Sequence, residues 1–162
     1  MTENAADVNV RLRPFDPEDL EEMVRLDRRC FSPEVAYDRM EMIWHLMGPR
    51  RFCLIAVPHR DGPSPLIGFV IAIAGSGSRS GQIVTIDIDP DYRRLGLGRR
   101  MLEAAEAWLA ASRNRTVRLQ VAVNNESALR FYDRMGYLPD HRRPAYYPDG
   151  TDALEMVKTL RP

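Results

Sequence analysis

The sequence predicts one α/β domain, a mixed central sheet of about seven strands with four helices, its first half antiparallel and its later part holding a parallel strand pair. Three observations carry this. Apolar runs at residues 52–57, 66–72 and 83–88 are joined by short Pro- and Gly-rich stretches, and short connections between successive strands make an antiparallel meander. The run ending at Ile88 leads through an amphipathic stretch to residues 117–123, whose apolar positions alternate; strand, helix and strand at that spacing make a parallel pair. At 162 residues the chain has the length of one domain with one core.

Residues 1–7 are acidic and polar and read as a loose tail, so the domain is expected over residues 8–160. Residues 8–13 alternate as a short strand. Asp16-Pro17-Glu18-Asp19 is a helix start, with a capping Asp, a proline in the first turn and acids behind it; that helix runs to about Arg29. Ser32-Pro33-Glu34 repeats the signal and predicts a second helix carrying Met40, Ile43, Trp44 and Met47, stopped by Gly48-Pro49. Beyond the meander, Met101, Leu102, Ala105, Trp108 and Leu109 recur at helical spacing. Asn124 or Asn125 caps a further helix whose apolar stripe is Ala128, Leu129, Phe131, Tyr132 and Met135, and Gly136 ends it. Tyr137-Leu138 and residues 154–160 close the chain as a strand pair around a long polar loop containing Tyr146 and Tyr147.

Composition narrows the function classes. Acidic and basic residues balance at 23 each, which argues against a nucleic-acid footprint even though arginines cluster locally. Cys30 and Cys53 are too few for a disulfide scaffold and form no Cys-x-x-Cys pair, so two buried thiols in a reducing, cytoplasmic compartment are expected. No apolar stretch reaches the ~18 residues of a membrane span. His45, His59 and His141 are too scattered for a metal site or a triad, and no metal is expected; His141, close to the polar loop, is kept as a candidate base. Nothing in the sequence sets an oligomeric state.

The most informative segment is Tyr92-Arg93-Arg94-Leu95-Gly96-Leu97-Gly98-Arg99-Arg100, at the point where an apolar strand stops and an amphipathic helix begins. A helix N-terminus offers free N–H groups and a positive dipole end; glycines admit positive φ and a close ligand, and arginines add charge-assisted bonds to phosphate. The same pattern also serves as a plain solvated helix start. It has no Gly-Lys-Ser/Thr ending and lacks the third glycine of a dinucleotide fingerprint. Arg93-Arg94-Leu95-Gly96-Leu97-Gly98 resembles the Arg/Gln-x-x-Gly-x-Gly/Ala signature of the GNAT acyltransferase superfamily. Residues 124–137 are similar to that family's Asn-x-x-Ala-x-x-x-Tyr-x-x-x-Gly-Phe run, and the predicted element order is that of a GNAT domain from about Val8 to Leu160. The ending Tyr146-Tyr147-Pro148-Asp149-Gly150-Thr151-Asp152-Ala153 looks like the Tyr-Tyr-x-x-Gly-x-Asp-Ala region of protein N-terminal α-acetyltransferases.

The resemblance implies acetyl-CoA as co-substrate and an amine as acceptor, the α-amine of a protein or peptide first and a small amine second. It places the pantetheine arm along the backbone of Ile86, Asp87 and Ile88, and the pyrophosphate on Arg93, Arg94, Leu95, Gly96, Leu97, Gly98 and Arg99. Asn125 corresponds to a CoA-contacting asparagine and Tyr132 to a tyrosine that protonates the departing thiolate; read without the family, they are a helix cap and a core aromatic. Tyr146 and Tyr147 would line the acceptor groove, or anchor their loop. The general base departs from the pattern. Bacterial ribosomal-protein acetyltransferases carry a glutamate where this chain has Gln120, and an amide takes no proton. Gln120 is left to bind substrate or to face the core edge. Ser32-Pro33-Glu34 resembles the Leu-Pro-Glu segment that holds a catalytic glutamate in the eukaryotic and archaeal enzymes, although helix electrostatics alone would also select Glu34. Deprotonating an α-amine of pKa near 8 at pH 7.4 costs about 1 kcal/mol, against about 4 kcal/mol for a lysine, so a missing strand carboxylate favours an α-amine. A CoA-binding module without catalysis is the rival from another class.

Overall fold

The computed structural model describes residues 9–77 and 79–161; the expected tail over residues 1–7, and Val8, lie outside them. The elements are β1 (Val10–Pro14), α1 (Leu20–Cys30), α2 (Arg39–Leu46), β2 (Arg51–Pro58), β3 (Gly68–Ile73), β4 (Ser80–Ile88), α3 (Leu97–Ala111), β5 (Thr116–Ala122), α4 (Glu126–Arg134), β6 (Leu138–Arg143) and β7 (Ala153–Thr159), in the predicted order. Among the described residues the strands form one sheet in the order β1-β2-β3-β4-β5-β7-β6. Every neighbouring pair is antiparallel except β4 and β5, which are parallel.

Apolar alternation sorts the side chains onto two faces. On one, α3 and α4 cover Val70, Ala72, Ile83, Val117, Leu119 and Val121; on the other, α1 and α2 cover Ile55, Phe69 and Ile71. The chain's one lysine closes the first layer. Lys158 Nζ donates to Glu106 Oε2 at 2.9 Å, and the hydroxyl of buried Tyr137 donates to Glu106 Oε1 at 2.9 Å, tying β7 and the end of α4 to α3. Gly81 lets α3 approach β4: a Cβ there would lie 2.5 Å from Leu109 Cδ2. Gly81→Ala is therefore expected to destabilise the fold by about 1–3 kcal/mol, read as a fall in the urea midpoint at constant m.

Two elements differ from expectation. The second helix begins at Arg39, not at Ser32. Asp38 and Glu41 form a reciprocal capping box, each side chain accepting the other's backbone N–H at 2.8 Å, whereas Ser32 only closes a turn through its carbonyl to Val35 and Ala36. The second difference is β6, which extends to Arg143 through what reads as loop. It is an exposed edge strand, charged or polar after Leu138 and Pro139, paired with β7 and irregular between Pro139 and His141, so it has no apolar period to betray it.

Candidate active site

The parallel pairing of β4 and β5 covers only Ser80, Gly81 and Gln82 against Thr116, Val117 and Arg118. Beyond Gln82, β4 keeps β3 on one side and, among the described residues, has no strand on the other, so the sheet opens into a cleft lined by the free edge of Ile86, Asp87 and Ile88. Strand backbone needs partners, and this edge offers them to an extended ligand. A register shift opposite Ile71 and Ala72 leaves Val84 as an extra residue in β4. After it, Ile86 and Ile88 pack toward α3, while Asp87 meets α1 on the opposite face.

At the end of β4 the chain turns through a short 3-10 segment, Pro90–Tyr92, capped by Asp89 and held to α1 by the paired contacts Arg29–Asp89 at 2.8 and 3.2 Å. Arg93 Nε donates to the Ile88 carbonyl at 3.0 Å. Arg94 and Gly96 both have left-handed backbones, φ 63° and 77°, and such conformations curl successive N–H groups into a concave anion cradle. Gly96 is the N-cap of α3 and no side chain caps this end, so the N–H groups of Leu97, Gly98 and Arg99 precede the first helical bond, Arg100 N to Gly96 O at 3.1 Å. Gly98 allows the helix to seat closely, since a Cβ there would lie 3.1 Å from Ile88 Cδ1 and 3.4 Å from Phe131 Cζ. Leu95 is exposed and Leu97 buried in the core, so Leu97 has only backbone to offer a ligand. Arg99 is exposed and pairs with Glu103 at 2.8 Å.

A family model described as acetyltransferase (GNAT) family matches residues 19–137, which include the open strand edge, the cradle and α4. This chain belongs to the GNAT acetyltransferase family. It is an acetyl-CoA-dependent N-acetyltransferase, and the unpartnered N–H cradle fits the co-substrate's phosphates. The chain is 29% identical over 148 residues to an uncharacterized N-acetyltransferase of Methanocaldococcus jannaschii, covering 91% of this chain and 90% of that protein. It is 34% identical over 83 residues to N-alpha-acetyltransferase 30 of Homo sapiens, a match spanning 51% of this chain but only 23% of the relative. In fold it is similar to the ribosomal-protein-S18-alanine N-acetyltransferase from Escherichia coli, with a TM-score of 0.80, 24% identity, and coverage of 95% of this chain and 96% of that one.

Around the cleft of this acetyltransferase, Asn125 is the cap of α4, its Oδ1 accepting the Ala128 N–H at 3.2 Å. Tyr132 stands half-buried on α4 between Phe131 and Tyr137, ring centroids 5.1 and 5.5 Å away. Burial, then the carboxyl of Asp87 and the phenol of Tyr147, push its own phenol above the usual value. Tyr146 and Tyr147 stack edge-on at 5.0 Å in the loop between β6 and β7, where burial raises Tyr147 to about 12. Tyr37, between α1 and α2, is close enough to both for their phenols to raise its own beyond what burial does, and its ring lies 4.7 Å from that of His45. Phenols from three separate segments are thus near enough to act on one another electrostatically.

Beneath them lie two fully buried carboxyl groups, Asp27 of α1 and Asp87. The Tyr37 N–H donates to Asp27 Oδ2 at 2.6 Å and the Thr85 hydroxyl to Asp87 Oδ1 at 2.6 Å. Asp27 Oδ1 and Asp87 Oδ2 have no other donor, and the two carboxyl groups lie within hydrogen-bonding reach of each other. Burial raises both, Asp87 the more strongly, and the like charge of Asp27 adds to the rise of Asp87. Asp27, Tyr37 and the side chain of Asp87 are absent from the sequence-based site; the signal available was an acid within the apolar stripe Met23, Val24 and Leu26 of α1.

Gln120 lies on β5 two residues past the last residue paired with β4, with its amide bridging Gln82 and Glu155. Glu34 is exposed in the turn that precedes Tyr37 rather than in a helical first turn, so helix electrostatics no longer account for it. His141 sits on the exposed edge strand, 3.1 Å from Asp140. Asp140, His141 and Glu155 bring ligand atoms within 4.8 Å of one another, but Arg118 already occupies both carboxylates at 2.6 and 2.9 Å. Burial raises Cys30 to about 11 and Cys53 to about 12, so both half-buried thiols stay protonated and neither is an activated nucleophile. No helix among the described residues is long and apolar enough to cross a membrane.

Proposed function

We propose that residues 8–160 act as one domain that transfers an acetyl group from acetyl-CoA to the α-amine of a protein or peptide N-terminus, in the cytoplasm and by direct attack within a ternary complex. The observation that carries the reading is the composition of the acceptor side. It is a cluster of phenols, Tyr37, Tyr146 and Tyr147, and three of its acids, Asp140, Asp152 and Glu155, already hold arginine partners at 2.6, 2.5 and 2.7 Å. A polyamine carries several charges and needs free carboxylates, whereas a peptide N-terminus needs one amine site and hydrogen bonds to its first backbone groups. The relationship to N-alpha-acetyltransferase 30 supports the same choice.

In this mechanism the edge of Ile86, Asp87 and Ile88 aligns the pantetheine arm. The segment Arg93, Arg94, Leu95, Gly96, Leu97, Gly98 and Arg99 holds the pyrophosphate, and Asn125 contributes its free amide N–H. Backbone N–H groups of β4 polarise the thioester oxygen, which sharpens the electrophile and stabilises charge that develops on attack. The neutral α-amine attacks the carbonyl carbon, a C–N bond forms as the C–S bond breaks, and Tyr132 gives its phenolic proton to the thiolate. The amine's proton leaves through water to Glu34 or to bulk. Gln120, Tyr146 and Tyr147 contact the acceptor.

The test mixes the protein with acetyl-CoA and peptides of differing N-termini, each also made with a blocked α-amine, and follows CoA release and product mass. Acetylation confined to free α-amines is expected. Transfer only to small amines would replace the reading, and acetyl-CoA binding without release at any pH from 7 to 9 would make the chain a non-catalytic module. For Glu34→Gln a several-fold lower rate and a shifted pH–rate profile are expected; an unchanged profile removes Glu34 as the proton acceptor.

A further inference from the structure

The geometry points to Glu155 as a positioning residue: it orients the Gln120 side-chain amide so that its oxygen, not its NH2 group, is offered to the attacking amine. This rests on the reading that Gln120 contacts the acceptor, and deepens it. Gln120 and Glu155 are register partners on β5 and β7. Glu155 is 3% exposed, and a carboxylate only accepts, so the group it faces at 2.9 Å must be Gln120 Nε2. The other end of the amide, Oε1, then projects toward β4, where Gln82 Nε2 approaches it at a long 3.4 Å.

The position is set by the cleft. Leu119 and Val121 face the α3 core, so Gln120 faces the acceptor side, at the mouth where β4 and β5 part. Glu155 is itself locked. Arg118 donates to Oε1 at 2.9 Å, and Arg143 approaches Oε2 at 2.9 Å through Nε and 2.7 Å through a terminal nitrogen. Burial works to protonate Glu155, but the bonds from Gln120, Arg143 and Arg118 outweigh it and keep the carboxyl below its ordinary value. Glu155 is therefore a fixed anion and not a base. What reaches the cleft is a neutral acceptor with a set direction. An amine N–H donates to it, which fixes the nitrogen and leaves its lone pair for the thioester carbon. A freely rotating glutamine would offer NH2 half the time, and that group repels an N–H donor.

A kinetic cycle of Gln120→Leu, Glu155→Gln and the double variant tests this with acetyl-CoA and a peptide acceptor. Gln120→Leu is expected to raise the peptide KM about three- to tenfold, the worth of one hydrogen bond, with the acetyl-CoA KM within about twofold. Glu155→Gln is expected to raise the peptide KM by a similar factor, and the double variant to be no worse than Gln120→Leu. A peptide KM unaffected by Glu155→Gln, or factors that multiply in the double variant, would overturn the positioning role. If Gln120→Leu alone changes nothing, Gln120 does not contact the acceptor and the inference fails with it, while the peptide panel still reads the proposed function separately. Should Glu155→Gln fail to fold, the wild-type protein supplies the second measurement, because Gln82 and Gln120 are its two glutamines. Solvent exchange of the Gln120 side-chain NH2 is expected to be at least about tenfold slower than that of exposed Gln82; equal rates would overturn the inference.

Discussion

Tyr132→Phe is expected to lower kcat by about 10²–10⁴-fold, the range carried by a positioned general acid, with the acetyl-CoA KM within about twofold. Burial, reinforced by Asp87 and Tyr147, raises the phenol above its ordinary value, so its proton is present at neutral pH. A thiol near pKa 8.5 leaves as thiolate, so the transition state builds charge on sulfur, which in the proposed mechanism the phenol answers by giving its proton. A group that acts only in the transition state changes kcat and kcat/KM together. The loss can be told from unfolding. Phenylalanine keeps the ring contacts to Phe131 and Tyr137 at 5.1 and 5.5 Å, so stability should stay within about 0.5 kcal/mol. Rates of CoA release at saturating acetyl-CoA, with a thermal melt of the same preparation, decide it; a kcat within twofold of wild type from pH 7 to 9 removes Tyr132 as the acid.

The features that were legible in the sequence are those encoded locally. Alternation at residues 117–123 reads directly as β5, and the glycine–arginine run at the end of β4 reads as an anion cradle because every part of it is contiguous. Asn125 reads as a cap and is one. The second helix starts later than the sequence predicts because two start signals compete within a few residues. The reciprocal box of Asp38 and Glu41 satisfies two backbone donors, whereas Ser32 offers a single turn, and Asp27 draws the Tyr37 N–H out of any helix beginning there. Tyr37, Asp27 and Glu155 are not legible as site residues for a different reason. Each acquires its role from a partner on another element: Asp27 from Asp87 across 60 positions, and Glu155 from Gln120 across 35. No local period records such pairings. The charged edge strand β6 has no period at all, since neither of its faces is buried.

Asp87→Asn is expected to remove a pH dependence of stability, and the gain over wild type should grow with pH by up to about 1.4 kcal/mol per unit. The buried pair of Asp27 and Asp87 has folded-state values raised above the ordinary carboxylate value of about 3.9, first by burial and then, for Asp87, by the charge of Asp27. Thr85, the Tyr37 N–H and the cations Arg28 and Arg93 work in the opposite direction, and Glu41 adds to the rise, but the net direction is upward for both acids. With both values raised by folding, the unfolded chain releases these protons at lower pH than the folded chain does. The folded state then binds more protons, so stability falls as pH rises, until the folded pair titrates. The groups held below their ordinary value, Asp19 by Arg13 against its burial and Glu155 as described, have the opposite sign and weaken the fold only as pH falls through the acid range. An asparagine at position 87 reproduces the bonds without the proton: its NH2 donates to Asp27 Oδ1, and its oxygen accepts from Thr85. Urea unfolding of both proteins at pH 5, 6, 7 and 8 should give curves that diverge toward high pH, and parallel curves would show that the pair holds no proton. The consequence reaches the cleft, because Asp27 is what pins the backbone of Tyr37 beneath the acceptor side. In the wild-type protein a rise in pH that strips this proton sets two buried carboxylates against each other and loosens the segment that carries Tyr37 and Glu34. Tyr37 protection from hydrogen exchange should therefore fall with pH in wild type and hold steady in Asp87→Asn.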